Sequence, residues 1–92
     1  MFAYDLSNEL VETAAKLVKR DPVMAEALKK KIEEIVACDE AGIAHYADSK
    51  HQWVGLKHVH IASSFVLFFR VFRKEKYVYF ACIRRHDEAF RR

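Results

Sequence analysis

The rhythm of apolar and polar residues changes three times along this chain, and each change predicts a new element. Phe2-Ala3-Tyr4-Asp5-Leu6 alternates over five residues, the period of a short strand at a sheet edge or beside the C-terminal strand. Ser7 then offers a hydroxyl to the free N–H groups of a helix start, and Glu9 and Glu12 stand where the helix dipole favours negative charge. Leu10, Ala14, Leu17 and Val18 recur at helical spacing, with Lys16, Lys19 and Arg20 crowding the C-terminal end. Asp21-Pro22 restarts the pattern, because proline lacks only the N–H that a first helical turn leaves unused. Ala25, Leu28, Ile32, Ile35 and Val36 line one face of this second helix, so the two helices predict an antiparallel hairpin.

Residues 39–54 lose all periodicity and read as the one long loop of the chain, carrying Gly42, His45, Asp48, His51 and Trp53. After Gly55 the period becomes two. Val59 and Ile61 then face the helices, while His58 and His60 share the opposite face. Ser63-Ser64 turns the chain, Phe65 to Phe72 forms a nearly continuous apolar strand, Lys74-Glu75-Lys76 turns it again, and residues 77–83 form the last strand. The class is α+β. An N-terminal strand precedes an antiparallel helical hairpin, which packs on one face of a mostly antiparallel sheet in the order β-α-α-β-β-β.

Length and charge narrow the function. Ninety-two residues build a single domain, expected over 1–92. Residues 1–49 hold six Lys/Arg against ten Asp/Glu, while residues 50–92 hold ten against three. The total of +3 therefore conceals a basic half of +7, which also contains four of the five histidines. Such a half suits a polyanion. The start lacks a signal-type n-region or h-region, and the longest apolar run, from Phe65 to Phe69, is too short to span a bilayer. A soluble cytoplasmic protein without a membrane partner is expected. Cys38 and Cys82 lie far apart inside apolar elements and read as buried reduced thiols. Lys29-Lys30-Lys31 reads as a solvated helix face.

Two constellations can carry chemistry. His58 and His60 share a strand face, where they can exchange protons, contact phosphate or bind a metal with His45 or His51; simple packing is the bland alternative. No carboxylate or cysteine stands at a typical partner spacing, so neither a metal nor a cofactor is expected. His86 follows Arg84 and Arg85 at a strand end and precedes Phe90 by four residues. Internal transphosphorylation of RNA needs a base for the 2′-OH, an acid for the leaving 5′-oxygen, cations at the phosphorane and a grip on the nucleotide. Histidine, arginine and an aromatic ring supply these in turn. A basic tail that only adds solubility is the competing reading. Asp87 and Glu88 are expected to cap, or to pair with Arg84 and Arg85. Most strand aromatics are expected in the core, with Trp53 and Phe90 as the exceptions.

Together these elements and motifs resemble the RelE/ParE superfamily of bacterial and archaeal type II toxins over nearly the whole chain. The likeness is strongest in WVGLKHVHIASSFVLFFRV and YVYFACIRRHDEAF. It is nearest to the YafQ-type branch, whose pattern falls here on Trp53, Gly55, His60, the strand at residues 65–71, His86 and Phe90. The resemblance implies a RelE-like fold and a metal-independent endoribonuclease that cleaves mRNA in the ribosomal A site and is silenced by a cognate antitoxin. It implies His60 and His86 as the catalytic histidines and Phe90 as the terminal aromatic beside them, and Arg85 joins this catalytic group on its own chemistry, to steady the phosphate. Arg84, His58, Lys57, Trp53, His51 and His45 would contact RNA or phosphate, with His45 or His51 matching a loop histidine. Three positions depart from the pattern: Ser64 replaces an acidic residue, Val66 an arginine, and Phe90 a terminal tyrosine common in RelE relatives. A ParE-like inhibitor of DNA gyrase, without nuclease chemistry, and an inactive RNA-binding relative are the alternatives.

Overall fold

Ser7 and Asp21 start the two long helices, as their side-chain chemistry requires. In the computed structural model, which describes residues 1–90, the Leu10 N–H donates to Ser7 Oγ at 3.0 Å and the Met24 N–H to Asp21 Oδ1 at 3.1 Å. The last two positions of the domain expected over 1–92 lie outside the described residues. Helix α1 spans Asn8–Arg20 and helix α2 spans Pro22–Val36. Leu10, Leu28, Ile32 and Ile35 turn inward, and Met24 joins them. Val18 departs from the expected stripe: it is 62% exposed, past the Ala14 and Leu17 side chains that meet the core. No helix among the described residues is long and apolar enough to cross a membrane.

Five strands form one sheet: β1 (Ala3–Leu6), β2 (Ala47–Asp48), β3 (Lys57–Ile61), β4 (Phe65–Phe72) and β5 (Tyr77–Arg85). Their spatial order is β1-β5-β4-β3-β2, with β1 parallel to β5 and every other pair antiparallel. The expected layering of helices on one sheet face therefore holds, and β1 takes both expected places, at an edge and beside the last strand.

Residues 39–54 are not a structureless loop. Asp39 Oδ1 accepts the Gly42 N–H at 2.7 Å and starts helix α3 (Glu40–Ala44), which is followed by β2 and a 3₁₀ turn at His51–Trp53. Elements this short complete too little of a period to register in the sequence. The chain end also differs. β5 runs two residues past Ile83 because Val66 and Phe65 of β4 pair with Arg84 and Arg85, and His86 then opens helix α4 (His86–Ala89). Arg84 and Arg85 are thus strand residues.

A β-bulge decides which way they face. Phe68 pairs with Cys82 while the next residue, Phe69, pairs with Phe80, leaving Ala81 as the extra residue of β5. Ser7 Oγ donates to the Ala81 carbonyl and holds the bulge. Below the bulge, even-numbered Val78 and Phe80 face the helices; above it, odd-numbered Ile83 does so and even-numbered Cys82 turns to the opposite face. One inserted residue exchanges the two faces of the strand end.

Both faces are apolar at their centres. The helix side buries Leu10, Ile35, Ile43, Leu67, Phe69 and Phe80 among others. The opposite side buries a smaller group, Val66, Phe68, Cys82 and Ala89, with Trp53 and Leu56 packed against it. Cys82 belongs to this smaller cluster, and burial pushes its thiol pKa up. Cys38 is half-buried rather than buried, and its Sγ–H donates to the Glu34 carbonyl at 3.4 Å.

Candidate active site

The smaller cluster forms the floor of a group of rings on the helix-free face. Alternation along β3 sends Val59 and Ile61 toward the helices and leaves His58 and His60 on this face. The His86 N–H donates to the Ser64 carbonyl at 2.8 Å, which anchors α4 to the turn before β4. Phe90 follows one helical turn later. The His60 and His86 ring centroids lie 5.1 Å apart, and Phe90 stands 5.0 Å from His86, 5.6 Å from His58 and 6.0 Å from His60. His58 and His60 are 6.4 Å apart. Four residues from two distant segments therefore share one small surface.

Support comes from below and from the side. Trp53 stacks on Phe68 at 4.2 Å with 17° between the planes, and its Nε1–H donates to the Ala89 carbonyl at 2.6 Å. That side chain pins α4, a structural contact in addition to the RNA contact expected of it. Ser49, only 8% exposed, places Oγ 2.9 Å from His58 Nδ1 and so fixes the imidazole. Its own N–H donates to the Leu56 carbonyl at 2.9 Å. Burial, aided by the charge of His60 and opposed by Asp48, lowers the His58 pKa below its ordinary 6.5. His58 thus holds its proton less readily than a free imidazole.

The remaining candidates divide. Arg84 lies on the histidine face with Cζ 5.7 Å from the Trp53 ring, but Glu9 of α1 is its ion-pair partner and raises its pKa. Of the alternatives expected for Asp87 and Glu88, Asp87 Oδ1 accepts the Glu88 N–H in the first turn of α4, while Glu88 meets Arg84 only through its charge. Arg85 is exposed and follows Ile83 onto the helix-side face, so it stands apart from the ring cluster. Lys57 is engaged in structure: its Nζ donates to the Tyr46 carbonyl and to Asp48 Oδ1, both at 3.0 Å, tying residues 44–48 to β3. His51, with φ of 57°, lines a cavity of about 310 Å³ that Ser49, Trp53, His58 and Phe90 also border. His45 caps the end of α3, outside the ring contacts. Among the described residues, no three His, Cys, Asp or Glu side chains are grouped to hold a metal ion.

Known proteins give this arrangement its context. No family model matches the chain. The toxin candidate RelE4 of Methanocaldococcus jannaschii is 34% identical over 92 residues, covering 100% of this chain and 94% of that protein. The chain belongs to the RelE superfamily of type II toxins. Solved structures share the fold of this RelE-type toxin. YafQ from E. coli strain BL21(DE3) superposes with a TM-score of 0.75 at 16% identity, covering 99% of this chain and 100% of that one. A chain of the YoeB–YefM complex from Staphylococcus aureus gives 0.72 at 15%, covering 94% and 98%.

Sequence reasoning missed two RelE-toxin residues that set the site: Ser49, which holds His58, and Glu9, which neutralises Arg84. Ser49 meets its partner only through the β2–β3 pairing of Ala47 with His58, and Glu9 meets Arg84 across nearly the whole chain. No local spacing encodes either contact.

Proposed function

We propose that this toxin is a ribosome-dependent endoribonuclease that cleaves mRNA by metal-independent transphosphorylation. The observation that carries the reading is the His60–His86 pair, with rings 5.1 Å apart and Phe90 within 6.0 Å of both. One imidazole takes the 2′-OH proton as the 2′-oxygen attacks phosphorus. The other gives its proton to the 5′-oxygen as the P–O5′ bond breaks, leaving a 2′,3′-cyclic phosphate and a 5′-hydroxyl. Phe90 offers an edge or face to an unstacked base. Because Glu9 engages Arg84, positive charge at the phosphorane comes first from a protonated histidine, with Arg84 available when phosphate displaces Glu9.

The YoeB–YefM assembly is a toxin-fold chain in complex, and it supports a cognate antitoxin as this protein's partner. The ribosome would present the mRNA and set its geometry, which places the action in the cytoplasm. The test is a cell-free translation reaction supplied with wild-type protein or His86→Ala, with 5′ ends mapped by primer extension. Codon-phased cuts that require ribosomes should appear with wild type and fall about 10²–10⁴-fold in the variant. Intact mRNA with active wild-type toxin would remove the nuclease reading and favour a binding mode of growth arrest.

A further inference from the structure

A second surface reaches the candidate active site from the helix side. A cleft of about 700 Å³ runs from α1 to the start of α4, and His86 lines it as well as the ring cluster. Its exposed cations are Lys16 and Arg20, one helical turn apart on α1, and Arg85, which the β5 bulge turns to this side. Among the described residues none of the three makes an ion pair. Two carboxylates also border the cleft, Asp21 and Asp87, which accept the backbone N–H of Met24 and Glu88, both at 3.1 Å; they keep their charge, and the three cations outnumber them. Arg84 shows the contrast, since the neighbouring arginine is neutralised by Glu9. Three unpaired cations converging on one concave surface repel one another and attract anionic oxygen.

We infer that this cleft binds the sugar–phosphate backbone of single-stranded RNA beside the scissile phosphate, with Lys16, Arg20 and Arg85 each meeting a phosphate oxygen. The inference rests on the nuclease reading only for the role of His86 as the end of the track. Cations at spaced intervals suit successive backbone phosphates, whereas base recognition needs aromatic platforms or fixed hydrogen-bonding groups. Strand contact here would be independent of sequence and sensitive to salt. It also gives Arg85 work that its distance from the rings denies it in the chemical step.

The experiment uses a fully 2′-O-methylated single-stranded oligoribonucleotide, which cannot be cleaved, and follows its affinity by fluorescence anisotropy over a salt series. Each lost phosphate contact lowers the slope of log affinity against log salt by about 0.7, so Lys16→Ala/Arg20→Ala/Arg85→Ala should lower it by about 2. The milder Lys16→Gln/Arg20→Gln should lower it by about 1.4. Lys29→Ala/Lys30→Ala removes the same two charges as that pair from α2 residues outside the cleft and should leave the slope near wild type. An unchanged slope in the triple variant, or an equal drop in the Lys29/Lys30 control, would overturn the inference. So would unchanged strand affinity with weakened ribosome binding, which would assign the cleft to structured ribosomal RNA. Because the probe is inert, a failed cleavage assay leaves this result standing, and a flat slope leaves the cleavage assay standing.

Discussion

The two faces of the sheet use the same kinds of residue to opposite ends. On the helix side, Leu67, Phe69, Val78 and Phe80 are fully buried beneath α1 and α2, and the face is closed by apolar packing. On the other side the apolar group is smaller, and aromatic and imidazole rings stand on top of it in solvent reach. Phe90 remains 47% exposed although it touches three histidines. The packed centre of the closed face contributes stability. An open face supported by a small rigid floor can hold reactive groups in place, because the floor fixes their positions without covering them.

The comparison can be broken by mutation, beginning with its largest effect. Phe69→Ala on the closed face should destabilise the protein by about 3–5 kcal/mol in urea unfolding, whereas His60→Ala on the open face should change stability by less than about 0.5 kcal/mol. Similar losses from both would show that the open face is also structural. Trp53→Phe keeps the stacked ring but removes the donor to the Ala89 carbonyl. It should cost about 1–2 kcal/mol and lower cleavage by loosening α4, so full activity would show that α4 needs no such anchor.

Glu9→Gln sharpens the role of Arg84. The pair is half-exposed, so its loss should cost no more than about 1 kcal/mol, while strand affinity should rise and become steeper with salt by about one further contact. Weaker binding would mean that Glu9 positions Arg84 for RNA instead of withholding it. The smallest effect is the titration of His58. Its folded pKa is lowered, so the unfolded chain binds more protons between that value and 6.5, and His58's contribution to stability is lost as pH falls through this window. His58→Gln should flatten the slope of stability against pH there, and an unchanged slope would assign it to another group.

Much of the fold is written locally in the sequence. Ser7 and Asp21-Pro22 mark both long helices, and period-two alternation at Val59 and Ile61 is enough to put His58 and His60 together on one face. The His60–His86–Phe90 grouping is legible for the same reason, with the family resemblance joining its two segments. The arginines are not. Their facing depends on Ala81, a single unpaired residue in β5 with no composition of its own, and the bulge moves Arg85 to the helix-side cleft while bringing Arg84 against Trp53. The structural contacts of Lys57 and Trp53 are hidden for a related reason: each meets a partner supplied by a short element that leaves no periodic trace.

In the proposed reaction His60 and His86 work as one acid–base unit on the open face. Single-turnover cleavage of ribosome-bound mRNA by wild type, His60→Ala, His86→Ala and the double variant tests it most directly. Residues acting as a unit are strongly non-additive, so each single variant should lose about 10²–10⁴-fold and the double variant hardly more. A wild-type rate in either single variant, or losses that multiply in the double, would contradict the account.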